Sequence, residues 1–215
     1  MTIDGSTGLD VTVTGDASGD DVTLAGNITD VVASFGGTAG ASDDFLDDNS
    51  RVLNFSASTG DLSLEGLTLT GGRTTASSAS GGGIRFPSSG ALSLTNSSLS
   101  GNSTSGYDAD GGGIFTSSSS VSLTDSTLSG NSISGDSADG GGIRTASGDV
   151  SLTSSTLSGN STSGDRAEGG GIVTGSGDVS LASSTLIGNS AATGVGGGVF
   201  VFDSSQNQSL SLIHI

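Results

Sequence analysis

An all-β parallel solenoid is the fold this 215-residue sequence predicts, with coils of about 29 residues and three short strands in each. Three recurring strings predict it. Gly-Gly-Gly-Ile occupies 81–84, 111–114, 140–143 and 169–172, and a form ending in Val occupies 196–199. Apolar residues flank Ser in Leu62/Leu64, Leu92/Leu94, Val121/Leu123, Val150/Leu152 and Val179/Leu181. Leu99, Leu128, Leu157 and Leu186 are each followed three residues later by Asn102, Asn131, Asn160 and Asn189, and every step in that series is 29. Three markers holding one register through four units are not a product of biased composition.

Each string has its own element. The alternation of Val150-Ser-Leu152 and its equivalents is that of a strand with one face buried. No helical period competes with it, and Gly and Ser at this density penalise helix throughout. The triple Gly reads as a tight corner with positive φ, where no Cβ fits. A phosphate-cradling loop would need a following helix and a Lys, and neither is present. Asn102, Asn131, Asn160 and Asn189 are expected to stack as an internal ladder, each amide bonding its neighbour and the turn backbone. A lone rung has about four inward apolar residues (Ile143, Val150, Leu152 and Leu157 in the middle one), too few to offset the ordering of 29 residues. Rungs must therefore fold together, with neighbours supplying the ladder bonds and a continuous core.

Composition narrows the function. Gly (39) and Ser (45) dominate, there is no Cys and no Lys, and the formal net charge is −17. Without Cys there is no disulfide framework and no thiolate metal site. The negative charge repels phosphate backbones and disfavours nucleic acid as a partner. No apolar run is long enough to span a membrane as a helix. The single His, His214, lies beside the C-terminus, so His-based catalysis lacks a partner.

The three strings resemble the right-handed parallel β-helix repeats of bacterial surface proteins. They are similar to the polymorphic outer-membrane-protein type, which pairs a Gly-Gly-x-Ile string with one ending in Asn. The aromatic residue that this family places before the Asn is Leu in every unit here. Thr2-Ile-Asp-Gly-Ser6, Arg51-Val-Leu53 and Leu64-Glu-Gly-Leu67 look like the coils that open such repeats. The resemblance implies a single-stranded right-handed β-helix of the pectin-lyase-like fold, secreted or held at the outer membrane, and no particular reaction. One domain over 1–209 is expected, with irregular opening coils at 1–50, an insertion at 30–50 and regular coils at 51–203. The last six residues, Leu210-Ser-Leu-Ile-His-Ile215, match the conceptual translation of a sequencing-library adapter. The expectation is a non-native tail at 210–215 on a chain cut at both ends, part of a longer one.

Two constellations are candidates for chemistry. Asp110, Asp139 and Glu168 precede the triple Gly at steps of 29, with Asp136 and Asp165 beside them. Stacked carboxylates repel, so either water and salt screen them or a cation bridges them, and calcium suits clustered oxygen ligands. Both readings stay open, and no other cofactor is implied. The Gly-Asp stretch at 15–21 is a weaker hint of calcium, because no nine-residue period follows it. The second constellation is the outward residue after each Ile or Val: Arg85, Phe115, Arg144, Val173 and Phe200. Arg85, Phe115 and Arg144 form a stripe suited to stacking on sugar rings and bonding their hydroxyls or carboxylates, which makes glycans or cell-surface components the expected partners. Stacked acids such as Asp149 and Asp178 are the only candidates for an enzyme, and Tyr107 stands alone. The expected function is a non-catalytic structural or adhesin-like module at the cell surface. The alternative is a fragment of a polysaccharide lyase or hydrolase whose site lies in missing coils.

Overall fold

The structure, a computed structural model, describes residues 22–23, 34–35, 51–55, 61–202 and 210–213. Every regular element among them is a strand, and the strands stack into four parallel sheets. The first sheet follows the triple Gly and contains Val22–Thr23, Leu53–Asn54, Ile84–Phe86, Ile114–Thr116, Ile143–Thr145, Ile172–Thr174 and Val199–Val201. The second carries the Leu-Ser-Leu alternation in Leu62–Glu65, Leu92–Thr95, Val121–Thr124, Val150–Thr153, Val179–Ala182 and Leu210–Ile213. The third contains Ser34–Phe35, Thr68–Thr70, Ser98–Ser100, Thr127–Ser129, Thr156–Ser158 and Thr185–Ile187. Three strings led to three expected sheets, and the structure adds a fourth. It is built from Arg73–Thr74, Ser103–Thr104, Ser132–Ile133, Ser161–Thr162 and Ser190–Ala191. A two-residue strand is too short for alternation to reveal it.

Pairing joins equivalent residues of successive coils, so Ile114, Ile143 and Ile172 stand in one column and Leu123, Leu152 and Leu181 in another. The expected inward residues Ile143, Val150, Leu152 and Leu157 are fully buried. Phe86 fills the place that Thr116, Thr145 and Thr174 hold in later coils, and its ring lies 4.8 Å from that of Phe55. Most of 1–50 lies outside the described residues. Within the segment read as an insertion, however, Ser34–Phe35 pairs with Thr68–Leu69 and so joins the third sheet. Leu210–Ile213 pairs with Val179–Ala182 on the second sheet. Its Leu-Ser-Leu alternation matches that sheet, so it stacks there whatever its origin.

The three glycines of each triple serve different ends. Gly140 has φ of 77°, the left-handed corner that the sequence predicts. Gly142 has no such backbone; instead, a Cβ there would lie 2.6 Å from the carbonyl oxygen of Gly171 and 3.3 Å from Asn160 Cγ. The coil must pass this close to reach the next one and to cover the Asn amides. Gly130 is a useful contrast, with φ of 61° and nothing within 4 Å of a built Cβ. Gly130→Ala should therefore cost only the left-handed backbone term, about 1–2 kcal/mol. Gly142→Ala should cost about 3 kcal/mol through overpacking against a carbonyl that cannot move. Urea midpoints of the two variants decide this, and equal losses would mean that close approach is not the constraint.

Candidate functional site

Asn102, Asn131 and Asn160 are fully buried at the corner between the third and fourth sheets, and Asn189 is half-buried below them. The Asn131 side chain uses its whole hydrogen-bonding capacity. Its Oδ1 accepts the Asn102 backbone N–H at 3.1 Å and the Asn102 Nδ2 at 3.0 Å. Its Nδ2 donates to Asn160 Oδ1 at 3.0 Å and to the Leu99 carbonyl at 3.2 Å. Asn160 bonds Asn189 and the Leu128 carbonyl in the same way. The column is the expected ladder, and it begins where Gly72 N–H donates to Asn102 Oδ1 at 2.9 Å.

A second ladder escaped the sequence reading. Ser126 Oγ accepts the Ser97 N–H at 3.1 Å and donates to the Thr124 carbonyl at 2.8 Å, and Ser155 and Ser184 continue the pattern. The signal was present, because Ser97, Ser126, Ser155 and Ser184 step by 29. It was hidden among so many other serines. Threonine hydroxyls close the loops as well, with Thr74 and Thr104 donating to the carbonyls of Ala79 and Ala109 at 2.6 Å each.

The acidic column is similarly engaged. Asp139 N–H donates to Asp110 Oδ1 at 2.8 Å, and Glu168 N–H donates to Asp139 Oδ1 at 2.9 Å. The more exposed pairs follow the same rule: Asp165 N–H reaches Asp136 Oδ1 and Asp178 N–H reaches Asp149 Oδ1, both at 2.9 Å. Each carboxylate thus receives the amide one coil later. Among the described residues, no group of three or more His, Cys, Asp or Glu is gathered closely enough to hold a metal ion. The stretch at 15–21 and His214 lie outside the described residues.

The stripe and the acidic column, read as separate features, meet. Arg144 follows Ile143 on the outward side of the first sheet, in register with Phe115 and then Arg85. Its Nε lies 3.6 Å from Asp110 Oδ2, with the two side chains only 16% and 17% exposed. That Nε is buried and makes no hydrogen bond, while the Arg144 Nη1 donates to the Thr145 carbonyl. The loop before each triple Gly lies against this face: a Cβ on Gly140 would come within 2.9 Å of Arg144 Cβ. Val173, expected to face outward in the same stripe, is fully buried, because Gly169 packs onto its Cγ2. Arg85 and Phe115 are half-buried, and Arg85 Nη1 reaches Asn54 Oδ1 at 3.5 Å. Tyr107 is 61% exposed on the loop.

Burial sets the electrostatics. Desolvation pushes Asp110 up to about 6, against the lowering effects of the Asp139 amide and the Arg144 guanidinium. Burial also raises Asp139, and it raises Glu168 with help from the Asp139 charge. The chain matches no family model, no curated protein and no solved structure.

Two predictions follow from this geometry. Asn131→Ala should cost about 1–3 kcal/mol, because the buried Asn102 N–H would lose its partner while Asn102 Nδ2 would keep only the Leu69 carbonyl. An unchanged denaturation midpoint would reject the ladder as a source of stability. The second concerns pH. A carboxyl that binds its proton more tightly in the folded state adds stability below its unfolded value of 3.8, and loses it as pH rises through about 6. The solenoid should therefore gain on the order of 2 kcal/mol between pH 7.5 and pH 4.5 from Asp110 alone. Thermal scans of Asp110→Asn should show a smaller pH dependence than wild type, and an equal slope would remove Asp110 as its cause.

Proposed function

We propose that this solenoid is a non-catalytic module, structural or adhesin-like, of a secreted or surface-exposed bacterial protein. In this reading it is a right-handed β-helix of the polymorphic outer-membrane-protein type, with the pectin-lyase-like fold, and belongs to a longer chain. One observation carries the reading: most polar side chains capable of chemistry are bonded to the neighbouring coil. The Asn and Ser columns and the carboxylates of Asp110, Asp139, Asp136 and Asp149 all hold backbone amides of an adjacent coil. An active site needs asymmetric groups converging on one reacting atom, and nearly identical coils do not provide them. A rigid sheet carrying Arg85, Phe115 and Arg144 suits a glycan or another cell-surface partner, with Phe115 as the stacking surface.

The test is to incubate the purified protein with acidic and neutral polysaccharides, assay for new reducing ends and unsaturated products, and measure binding on a glycan array. Binding without turnover is the expected result, and it should be lost in Phe115→Ala combined with Arg144→Ala. Turnover that survives repurification and is abolished by Asp149→Asn or Asp178→Asn would establish the lyase or hydrolase alternative instead.

A further inference from the structure

Arg144 is the stripe's central cation, yet the fold holds it back from any ligand. Its Nε sits 3.6 Å from Asp110 Oδ2 in a half-buried pair, out of contact with water and without a hydrogen bond of its own. The charged groups around the pair are few. Arg144 faces Asp110 and Asp139, while Asp110 also faces the charge of Asp108. Asp110 thus stands in an excess of negative charge with one cation, and its Oδ1 already receives the Asp139 N–H. The Arg144 guanidinium is thus held at two points, by Asp110 Oδ2 beside Nε and by the Thr145 carbonyl at Nη1, and only the first of these titrates.

We propose that Asp110 gates Arg144: charged, it holds the guanidinium against the loop column, and on taking up a proton it releases that guanidinium to bind an anionic glycan on the stripe. The inference rests on the stripe being the glycan-binding face. The chemistry is a proton exchange with solvent. A proton adds to Oδ2, the ion pair becomes a neutral acid beside a cation, and the guanidinium is left to find another anion. Burial supports the gate, because it places this exchange near pH 6, where an acidified surrounding would operate it. The other ladder bonds stay in place, since Oδ1 keeps the Asp139 amide in either state. The ligand class follows from the released group: a sulfate or carboxylate on a sugar offers the charge-assisted hydrogen bonds that Arg144 Nε lacks beside Asp110.

Dextran sulfate is the probe, since its sulfate esters stay ionised across the range and the pH response then belongs to the protein. Wild type should bind it about fivefold more tightly at pH 5 than at pH 7.5, the worth of an ion pair of about 1 kcal/mol. Asp110→Asn should bind at pH 7.5 as wild type does at pH 5, and Arg144→Gln should lose the pH step. Asp149→Asn removes the same charge from the edge of the second sheet and should keep the step. Equal steps in wild type and Asp110→Asn would overturn the gate and leave only the net-charge effect. If no variant binds at either pH, the glycan reading itself fails, and NMR then judges the gate. The Arg144 Nε–H should exchange faster as the Asp110 carboxyl titrates, and a signal indifferent to that titration would overturn it.

Discussion

The contact on which everything else depends is the side-chain amide stacked on the side-chain amide one coil away. Asn has two donors and two lone pairs, and the buried Asn131 spends all of them on the coils above and below. A buried amide with an unused atom would cost free energy, so the ladder is favourable only when the spacing is constant. That fixes the coil length. A coil with one extra residue between its Asn and the next would either bulge or break the column. The uniform step of 29 in the Asn series is the sequence form of this restriction. Where no ladder residue is involved, the count relaxes: the triple-Gly strings at 169–172 and 196–199 are only 27 apart.

The glycines and the serines follow from the same stacking. The third Gly of each triple lies over the amide of the Asn that follows it in sequence, at 3.1 to 3.5 Å from a built Cβ for Gly83 over Asn102, Gly113 over Asn131 and Gly142 over Asn160. An Ala there would push the strand away from the column and leave the amide partly uncovered. The Ser column performs at the second corner what Asn performs at the first, one hydroxyl receiving an amide from one coil and donating to a carbonyl. Residues in the left-handed region recur here too, at Asn96, Asp125, Ser154 and Ser183, each with φ of 50°. A short polar side chain tolerates that conformation better than a branched one.

Much of this was legible because a repeat states its constraint several times. The Leu-Ser-Leu alternation located the second sheet, and Leu-x-x-Asn located the third sheet and the ladder together. The fourth sheet was not legible, since Ser132–Ile133 is too short to alternate, and neither was the Ser ladder, which is camouflaged by composition. The site was read less well than the fold, for a physical reason. Arg144 and Asp110 are 34 residues apart and lie on different elements, and no spacing rule joins an outward strand residue to the loop of the coil before it. Nor does outward position alone foretell exposure: Val173 stands at the same strand position as Arg144 and is buried, because Gly169 packs onto it.

Uniformity itself points to where this solenoid has room for a function. A column that bonds coil to coil tolerates one residue type, and Asn102, Asn131, Asn160 and Asn189 comply. A position that bonds nothing in the ladder is free to vary from coil to coil. The residue after each Ile or Val does vary, through Arg85, Phe115, Arg144, Val173 and Phe200. The loop that packs beside it varies as well, with Tyr107, Asp136 and Asp165 following glycines at equivalent places, although there Asp136 Oδ1 still accepts the Asp165 N–H. Outward strand residues on the second sheet, Ser93, Ser122, Ser151 and Ser180, do not vary at all. Chemical asymmetry is therefore concentrated on one side of an otherwise repetitive rod. Recognition of a partner needs such asymmetry, while the rest of each coil supplies the rigid spacing on which it is displayed.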